Sequence, residues 1–303
     1  MSKPSAKRFA RILVATDGSP SSQQACEVAA QVAKAFDSEV LILSAIPSIG
    51  ALAAPLEGEY YTKIINKADD NVEKAASVFK QAGVTVREKE VPQGRASPVE
   101  TILEYAAKEN SDLIVMGTRG LGGFKRAALG SVSSAVTAHA HCSSLVVRQG
   151  KGKQVALKRI LVAVDGSQYA QKALESAVDV AKRLRAELHM AHVVYVPALL
   201  WSAGFAGSTI PVDRIEEDAE KIGREVLAKA VKFAKDSGIA NPKEEILTKL
   251  ASPAQGIVEL ADKVGADVIV VGTRGLGGFK KMVMGSVANS VLHYANCSVL
   301  VVK

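Results

Sequence analysis

The chain has 303 residues, about twice the ~150 of a typical domain, with 48% apolar and 23% charged residues; this predicts two globular domains and excludes an intrinsically disordered chain. Three cysteines exclude a disulfide framework and suit a reducing compartment. The net charge of +7 comes from 38 basic and 31 acidic residues and gathers at a terminus and in the segment 148–159. Charge placed there, with few aromatics, argues against nucleic acid as a partner.

Strands and helices alternate from the start. Ile12 to Thr16 is a short apolar run of the kind buried on both faces of a parallel sheet. After Pro20, the residues Ala25, Val28, Ala29, Val32 and Phe36 fall on one helical face. Val40 to Leu43 reads as the second strand. A helix is expected over Asn66 to Gln81, stopping before Gly83. Val84 to Val91 gives a third strand, Val99 to Lys108 a helix and Leu113 to Met116 a fourth strand. Ser131 to Ala140 is the last helix and Leu145 to Val147 the last strand of this half. Such alternation predicts an α/β domain with a five-stranded, mainly parallel sheet flanked by helices.

The pattern then starts again. RILVATDGS at 11–19 returns as RILVAVDGS at 159–167, and LIVMGTRGLGGFKR at 113–126 returns as VIVVGTRGLGGFKK at 268–281. CSSLVVR at 142–148 returns as CSVLVVK at 297–303. The two copies are expected at 1–150 and 155–303, joined by a basic Gly/Lys linker. The exposed edge left by each last strand is a liability unless covered, so the two last strands are expected to meet within one chain as an intrachain pseudo-dimer, with a homodimer of chains as a further possibility.

Neither end of the copies reads as a targeting or membrane segment. The basic MSKPSAKRFAR runs into only four apolar residues before Asp17, which fits no secretory signal. The uncharged stretches Val40 to Leu56 and Leu188 to Val212 are broken by Pro47, Gly50 and Pro55, and by Pro197, Gly204, Gly207 and Pro211. They read as a strand plus an apolar loop rather than a membrane span, and a cytoplasmic location is expected.

Ligands of open α/β sheets bind beyond the carboxyl ends of the strands. Two features fall there in each copy. Asp17 and Asp165 directly follow the first strand. After the fourth strand come Gly117-Thr-Arg-Gly120, nine residues and Gly130-Ser131, and in the second copy Gly272-Thr-Arg-Gly275, nine residues and Gly285-Ser286. Glycine allows close approach of a ligand, and the N–H groups opening the helix at Ser131 or Ser286 can hold a phosphate. A carboxylate at one strand end, accepting from ribose hydroxyls, and an anion nest at another make a nucleotide geometry. Two plainer readings stand beside it: Asp17 as a helix cap, and the glycines as turns without a ligand. The segment is not a Walker A loop, because glycine stands where the lysine belongs, and no GxGxxG follows strand one.

These residues resemble the universal stress protein family in its tandem two-domain form. The resemblance rests on G-x2-G-x9-G-[ST] in both copies and on VAxDGS at 14–19 and 162–167, and covers nearly the whole chain. It implies two Rossmann-like domains and ATP as cofactor, with or without Mg2+. In the family the glycine motif holds ribose and phosphates, the strand-one aspartate lies near the adenosine, and the residue closing strand two meets adenine through its backbone. The implied site residues are Asp17, Ala45, Gly117, Gly120, Gly130 and Ser131, and Asp165, Val193, Gly272, Gly275, Gly285 and Ser286. The family often enters its last strand with Cys-Pro-Val-Leu, whereas this chain has Cys142-Ser143-Ser144-Leu145 and Cys297-Ser298-Val299-Leu300.

Arg119 and Arg274, beside the glycine turns, are expected phosphate contacts. Lys125, Arg126, Lys280 and Lys281 either reach a terminal phosphate or face water. No Asp, Glu or His falls between Gly117 and Ser131 or between Gly272 and Ser286. Hydrolysis needs a positioned water as well as charge neutralisation, so binding with slow or no turnover is expected. An ATP-hydrolysing or adenylate-processing enzyme and a nucleotide-independent interaction scaffold are the alternatives. Metal ligation by the five histidines and redox chemistry at the cysteines are not expected. The apolar loop 197–212 of the second copy, with the single tryptophan Trp201, is expected to cover the second site as a lid that doubles as part of a chain–chain contact, with a subunit contact alone, an apolar or lipid ligand, or a disordered loop as the alternatives.

Overall fold

The computed structural model describes residues 8–46, 59–92, 96–118, 129–148, 157–195, 212–248, 252–275 and 284–303. The first repeat runs β1 (Arg11–Ala15), α1 (Pro20–Phe36), β2 (Glu39–Leu43), α2 (Glu59–Ala82), β3 (Val86–Glu90), α3 (Pro98–Lys108), β4 (Leu113–Gly117), α4 (Ser131–His139) and β5 (Ser143–Val147). The second runs β6 (Arg159–Ala163), α5 (Gln168–Leu184), β7 (Glu187–Val193), α6 (Val212–Asp236), β8 (Lys243–Leu247), α7 (Pro253–Val264), β9 (Val268–Gly272), α8 (Ser286–Tyr294) and β10 (Ser298–Val302). The chain divides into two compact units. One carries β1 to β5 together with residues 297–301; the other carries β6 to β9.

In the first unit the parallel strands lie in the order β3-β2-β1-β4-β5. The chain moves outward from β1 to β3 and then returns to the other side of β1, which puts the topological switch point between β1 and β4. Residues of β10 continue this unit antiparallel to β5, with Val299 opposite Val146 and Leu300 opposite Leu145. The apolar edge of β5 is thereby covered. The second unit repeats the order β9-β6-β7-β8 with parallel pairing, and its switch point falls between β6 and β9.

The central strands are apolar without alternation because helices cover both faces of the sheet. Ile12, Leu13, Ile42, Leu43, Leu113 and Ile114 are fully buried, as are Phe36 of α1 and Phe79 of α2. β3 (VREKE) and β8 (KEEIL) are charged outer strands, and charge on an edge discourages further pairing. Each first strand is anchored at its start by an aspartate just before β4 or β9. Asp112 accepts from the N–H groups of Ala10 (2.8 Å) and Arg11 (3.1 Å), and Asp267 from those of Lys158 and Arg159 (both 2.8 Å). Burial lifts the Asp112 carboxyl above the usual aspartate range, outweighing the pull of these backbone donors.

Three elements of the first repeat depart by two residues or more from the bounds the sequence predicts. The helix expected from Asn66 starts at Glu59, because Tyr61, Ile64, Ile65 and Ala68 continue its inward face through a β-branched and aromatic stretch. The strand expected over Val84 to Val91 is Val86–Glu90. Val84 still belongs to the end of α2: its N–H reaches Phe79 O at 2.9 Å across Gly83, which has φ 73°. β5 begins at Ser143 rather than Leu145, and both serines are buried opposite Leu113 and Ile114 of β4.

Phe36 meets Phe9 edge to face at 5.2 Å. Truncating so buried a ring leaves a cavity, so Phe36→Ala should lower unfolding stability by about 3–5 kcal/mol in urea titrations. A loss under 1 kcal/mol would mean that this end of the core is not closed by the ring.

Candidate functional site

The site is built from the carboxyl ends of β1 and β4, and again of β6 and β9. At the first strand end the chain turns through an aspartate and a glycine into a serine-capped helix. Asp17 Oδ1 accepts from Ser19 N–H at 3.0 Å, and Asp165 Oδ1 from Ser167 N–H at 2.9 Å. The helix caps are the serines themselves: Ser19 Oγ accepts from Ser22 N–H (3.2 Å) and Ser167 Oγ from Ala170 N–H (3.1 Å). Asp17 is therefore not the helix cap. One carboxylate oxygen fixes the turn, and the side chain stays half exposed.

At the fourth strand end, Gly117 and Gly272 let the next layer come close. A Cβ on Gly272 would lie 2.6 Å from the backbone C and O of Tyr169 in the first turn of α5, and one on Gly117 would lie 2.7 Å from Ser21 C in α1. The next residue, Thr118 or Thr273, is buried, and its carbonyl accepts from Gly130 N–H or Gly285 N–H at 2.7 Å in each copy. That bond pins the start of α4 and α8 to the strand end.

These two helix starts differ from those of α1, α3, α5 and α7. α1, α3, α5 and α7 each begin under a serine whose side chain accepts a first-turn N–H. α4 and α8 begin at Gly130 and Gly285, with no side-chain cap. Ser131 and Ser286, which open these helices, are exposed, and no side chain among the described residues caps the first-turn N–H groups beside them. This is the donor set of an anion site, strengthened by the helix dipole.

The second repeat also brings the two strand ends together. A Cβ on Gly275 would lie 2.5 Å from Asp165 Oδ2. The strand-one carboxylate thus faces the backbone of the glycine motif, and a side chain there would displace it. Arg274 follows Thr273, and its Cα would be 3.5 Å from a Cβ on Gly285. Its Nη1–H donates to Tyr169 OH at 3.0 Å. Ala45 sits two residues past β2, and Val193 is the last residue of β7; both are half exposed. Arg119, Gly120, Lys125, Arg126, Lys280 and Lys281 lie outside the described residues, as does nearly all of the loop 197–212 with Trp201.

Sequence reasoning passed over Thr118, Thr273, Tyr169 and Asn71. Asn71 of α2 packs its amide against Gly18, whereas Val226 of α6 packs its methyl groups against Gly166. The threonines were visible as the second residue of each GTRG. Nothing local marks Tyr169 or Asn71, whose partners are distant in sequence.

His139 and His293 place Nδ1 2.8 Å from carbonyls of their own helices, His141 lies 3.2 Å from Ser111 O, His192 lies 2.8 Å from Val164 O, and His189 faces Glu187. Among the described residues no group of three or more His, Cys, Asp or Glu could hold a metal. No helix among them is long and apolar enough to cross a membrane.

A doubly wound α/β unit with an aspartate at one strand end and an uncapped glycine-led helix at the other, built twice in one chain, defines the class of protein. The family model of the universal stress proteins matches residues 8–148 and again 156–303, and the chain belongs to that family. A universal stress protein of Mycolicibacterium smegmatis is 28% identical over 303 residues, covering 96% of both chains. The universal stress protein YxiE of Bacillus subtilis is 34% identical over 148 residues, covering 98% of its length and 48% of this chain. The crystal structure of a universal stress protein from Archaeoglobus fulgidus superposes with a TM-score of 0.66 at 25% identity, covering 98% of this chain and 97% of that one.

Burial pushes the Cys26 and Cys142 thiols up to about 12. Neither is a thiolate at neutral pH, and the thiolate is the nucleophile. At pH 8 a thiol reagent should leave both unlabelled in the folded protein and label them on unfolding. Rapid native labelling of Cys26 would show that α1 opens.

Proposed function

We propose that the protein is an ATP-binding stress-response or regulatory module with one adenine-nucleotide site in each repeat and slow or no hydrolysis. The observation that carries this reading is the pair of uncapped helix starts at Gly130-Ser131 and Gly285-Ser286, each tied by a 2.7 Å bond to a strand end beside an aspartate turn. The residues fit the ligand. First-turn N–H groups and the Ser131 and Ser286 hydroxyls supply donors for phosphate oxygens, with Arg119 and Arg274 adding positive charge. Asp17 and Asp165 supply an acceptor suited to ribose hydroxyls. The backbone at Ala45 and Val193 offers the donor and acceptor that an adenine edge needs. Gly275 keeps a side chain away from the Asp165 carboxylate, and Gly117 and Gly272 let the first helix of each repeat close on the strand end. A bound Mg2+ would neutralise phosphate charge.

Slow turnover fits the chemistry at hand. The segments 118–130 and 273–285 contain no Asp, Glu or His, and each strand-one aspartate already spends one oxygen on its own turn. The glycine segments therefore bring no acid–base side chain of their own to orient an attacking water. The proposal includes a cytoplasmic location, two domains at 1–150 and 155–303, an intrachain pseudo-dimer of the repeats and a homodimer of chains. Sedimentation at several concentrations tests the homodimer.

Mass spectrometry of the small molecules released on denaturing freshly purified protein should find adenine nucleotide. Titration of stripped protein with ATP should approach two sites per chain, and a stoichiometry near one would reject the second site. Gly130 and Gly285 have ordinary φ values of −76° and −71°, so valine there strains no backbone. It does crowd the nest, since even a Cβ on Gly285 lies 3.2 Å from Thr273 O. Gly130→Val with Gly285→Val should weaken ATP binding at both sites at least tenfold, about 1.4 kcal/mol per site, in a chain that still folds. Unchanged affinity would show that these helix starts are not the phosphate nest.

A further inference from the structure

The two sites of the chain are not chemically equal. Where the first repeat has Ser21 in the opening turn of its first helix, the second has Tyr169. Ser21 Oγ lies 3.4 Å from Thr118 Oγ1, and both groups are buried. Tyr169 instead reaches across to the glycine motif. Its hydroxyl accepts from Arg274 Nη1–H at 3.0 Å, and the Arg274 guanidinium carbon stands 5.5 Å from the ring centre. Lys172, one turn further along α5, brings its ammonium to 5.8 Å from the same ring.

This arrangement holds a cation beside the anion nest. Arg274 leaves the backbone next to Gly285, at the uncapped start of α8. Of its five N–H groups one is given to Tyr169, and Nε is buried without a hydrogen-bond partner among the described residues. A buried guanidinium N–H without an acceptor is costly, and phosphate oxygens accept from such a fork in its own plane. Asp165, the nearby carboxylate, bonds its own turn through Oδ1 and turns Oδ2 to Gly275.

We propose that Tyr169 is a positioning residue that holds Arg274 for the outer phosphates of a nucleoside polyphosphate, so that the second site discriminates by phosphate number more strongly than the first. The proposal rests on the nucleotide reading given above. An adenosine monophosphate ends at the helix nest, whereas a triphosphate carries further negative charge to a guanidinium already fixed in place. In the first repeat serine stands at position 21 where the second has this phenol, and a site without it gains less from each added phosphate.

The test is calorimetric titration of the full chain with ATP, ADP and AMP, in the unmodified protein and in a Gly130→Val background that leaves the second site to be read alone. Tyr169→Phe keeps the ring and removes only the acceptor. It should weaken ATP binding at the second site about tenfold while AMP binding stays within about twofold. Arg274→Gln should do the same or more, and Tyr169→Phe added to it should cost little further. Parallel losses of ATP and AMP affinity, or none, would overturn the positioning role and leave Tyr169 as a packing residue. Should Gly130→Val fail to fold, the two-site isotherm of the unmodified background supplies the same ATP-to-AMP comparison. If the unmodified chain binds no nucleotide, the parent titration shows it before any variant is made, and both readings fall together.

Discussion

A side chain at Gly272 would overlap the backbone of Tyr169, and one at Gly117 that of Ser21. The arrangement at the carboxyl end of each sheet depends on those places staying empty. The first helix of each repeat is drawn down on the end of the fourth strand, so its opening turn and the strand exit share one small volume. The next residue is then buried, and its carbonyl is left facing the incoming helix. Thr118 O and Thr273 O take the N–H of Gly130 and Gly285 at the same 2.7 Å in both repeats. A close approach in the core thus sets, two steps later, where an uncapped helix begins.

That helix start is a local sacrifice. A serine cap is worth about a few tenths of a kcal/mol over glycine in the same position, and four other helices use it. α4 and α8 are short, at nine residues each, and would gain most from capping. Glycine in the cap position leaves the first-turn donors to whatever anion arrives, and burial of Val136 and Val291 holds each helix in place without it. A frame set by main-chain bonds tolerates wide change in its side chains, which is why its shape survives between the two repeats.

What was legible in the sequence follows from this division. The central strands were legible because burial on both faces makes them continuously apolar, as in Ile12 to Ala15 and Leu113 to Met116. The glycine motif was legible because no other residue fits so close a contact at Gly117, Gly272 and Gly275. The start of α2 was not, since Tyr61, Thr62, Ile64 and Ile65 favour strands locally and only packing makes them helical. Ser143 and Ser144 escaped for the same reason: two polar residues join β5 because the neighbouring strand fixes the register. Tyr169 was invisible because its partner, Arg274, lies 105 residues away.

The differences between the repeats fall on side chains and compensate one another in volume. In the second repeat His192 fills the space beside Val164 O, and Gly223 of α6 makes room for it, since a Cβ there would lie 2.6 Å from the ring. At the matching positions of the first repeat stand Ser44 and Ala68, a smaller pair split the other way and equally buried. Asn71 against Gly18 becomes Val226 against Gly166. Each exchange alters the polarity around the strand-one aspartate while the backbone bonds at the strand ends keep their lengths. Val164 N reaches Ala191 O at 2.8 Å, and Thr16 N reaches Leu43 O at 2.9 Å. A frame built from glycine and main-chain bonds leaves the rim free to diverge, so two copies can keep the same helix starts while the side chains around them differ.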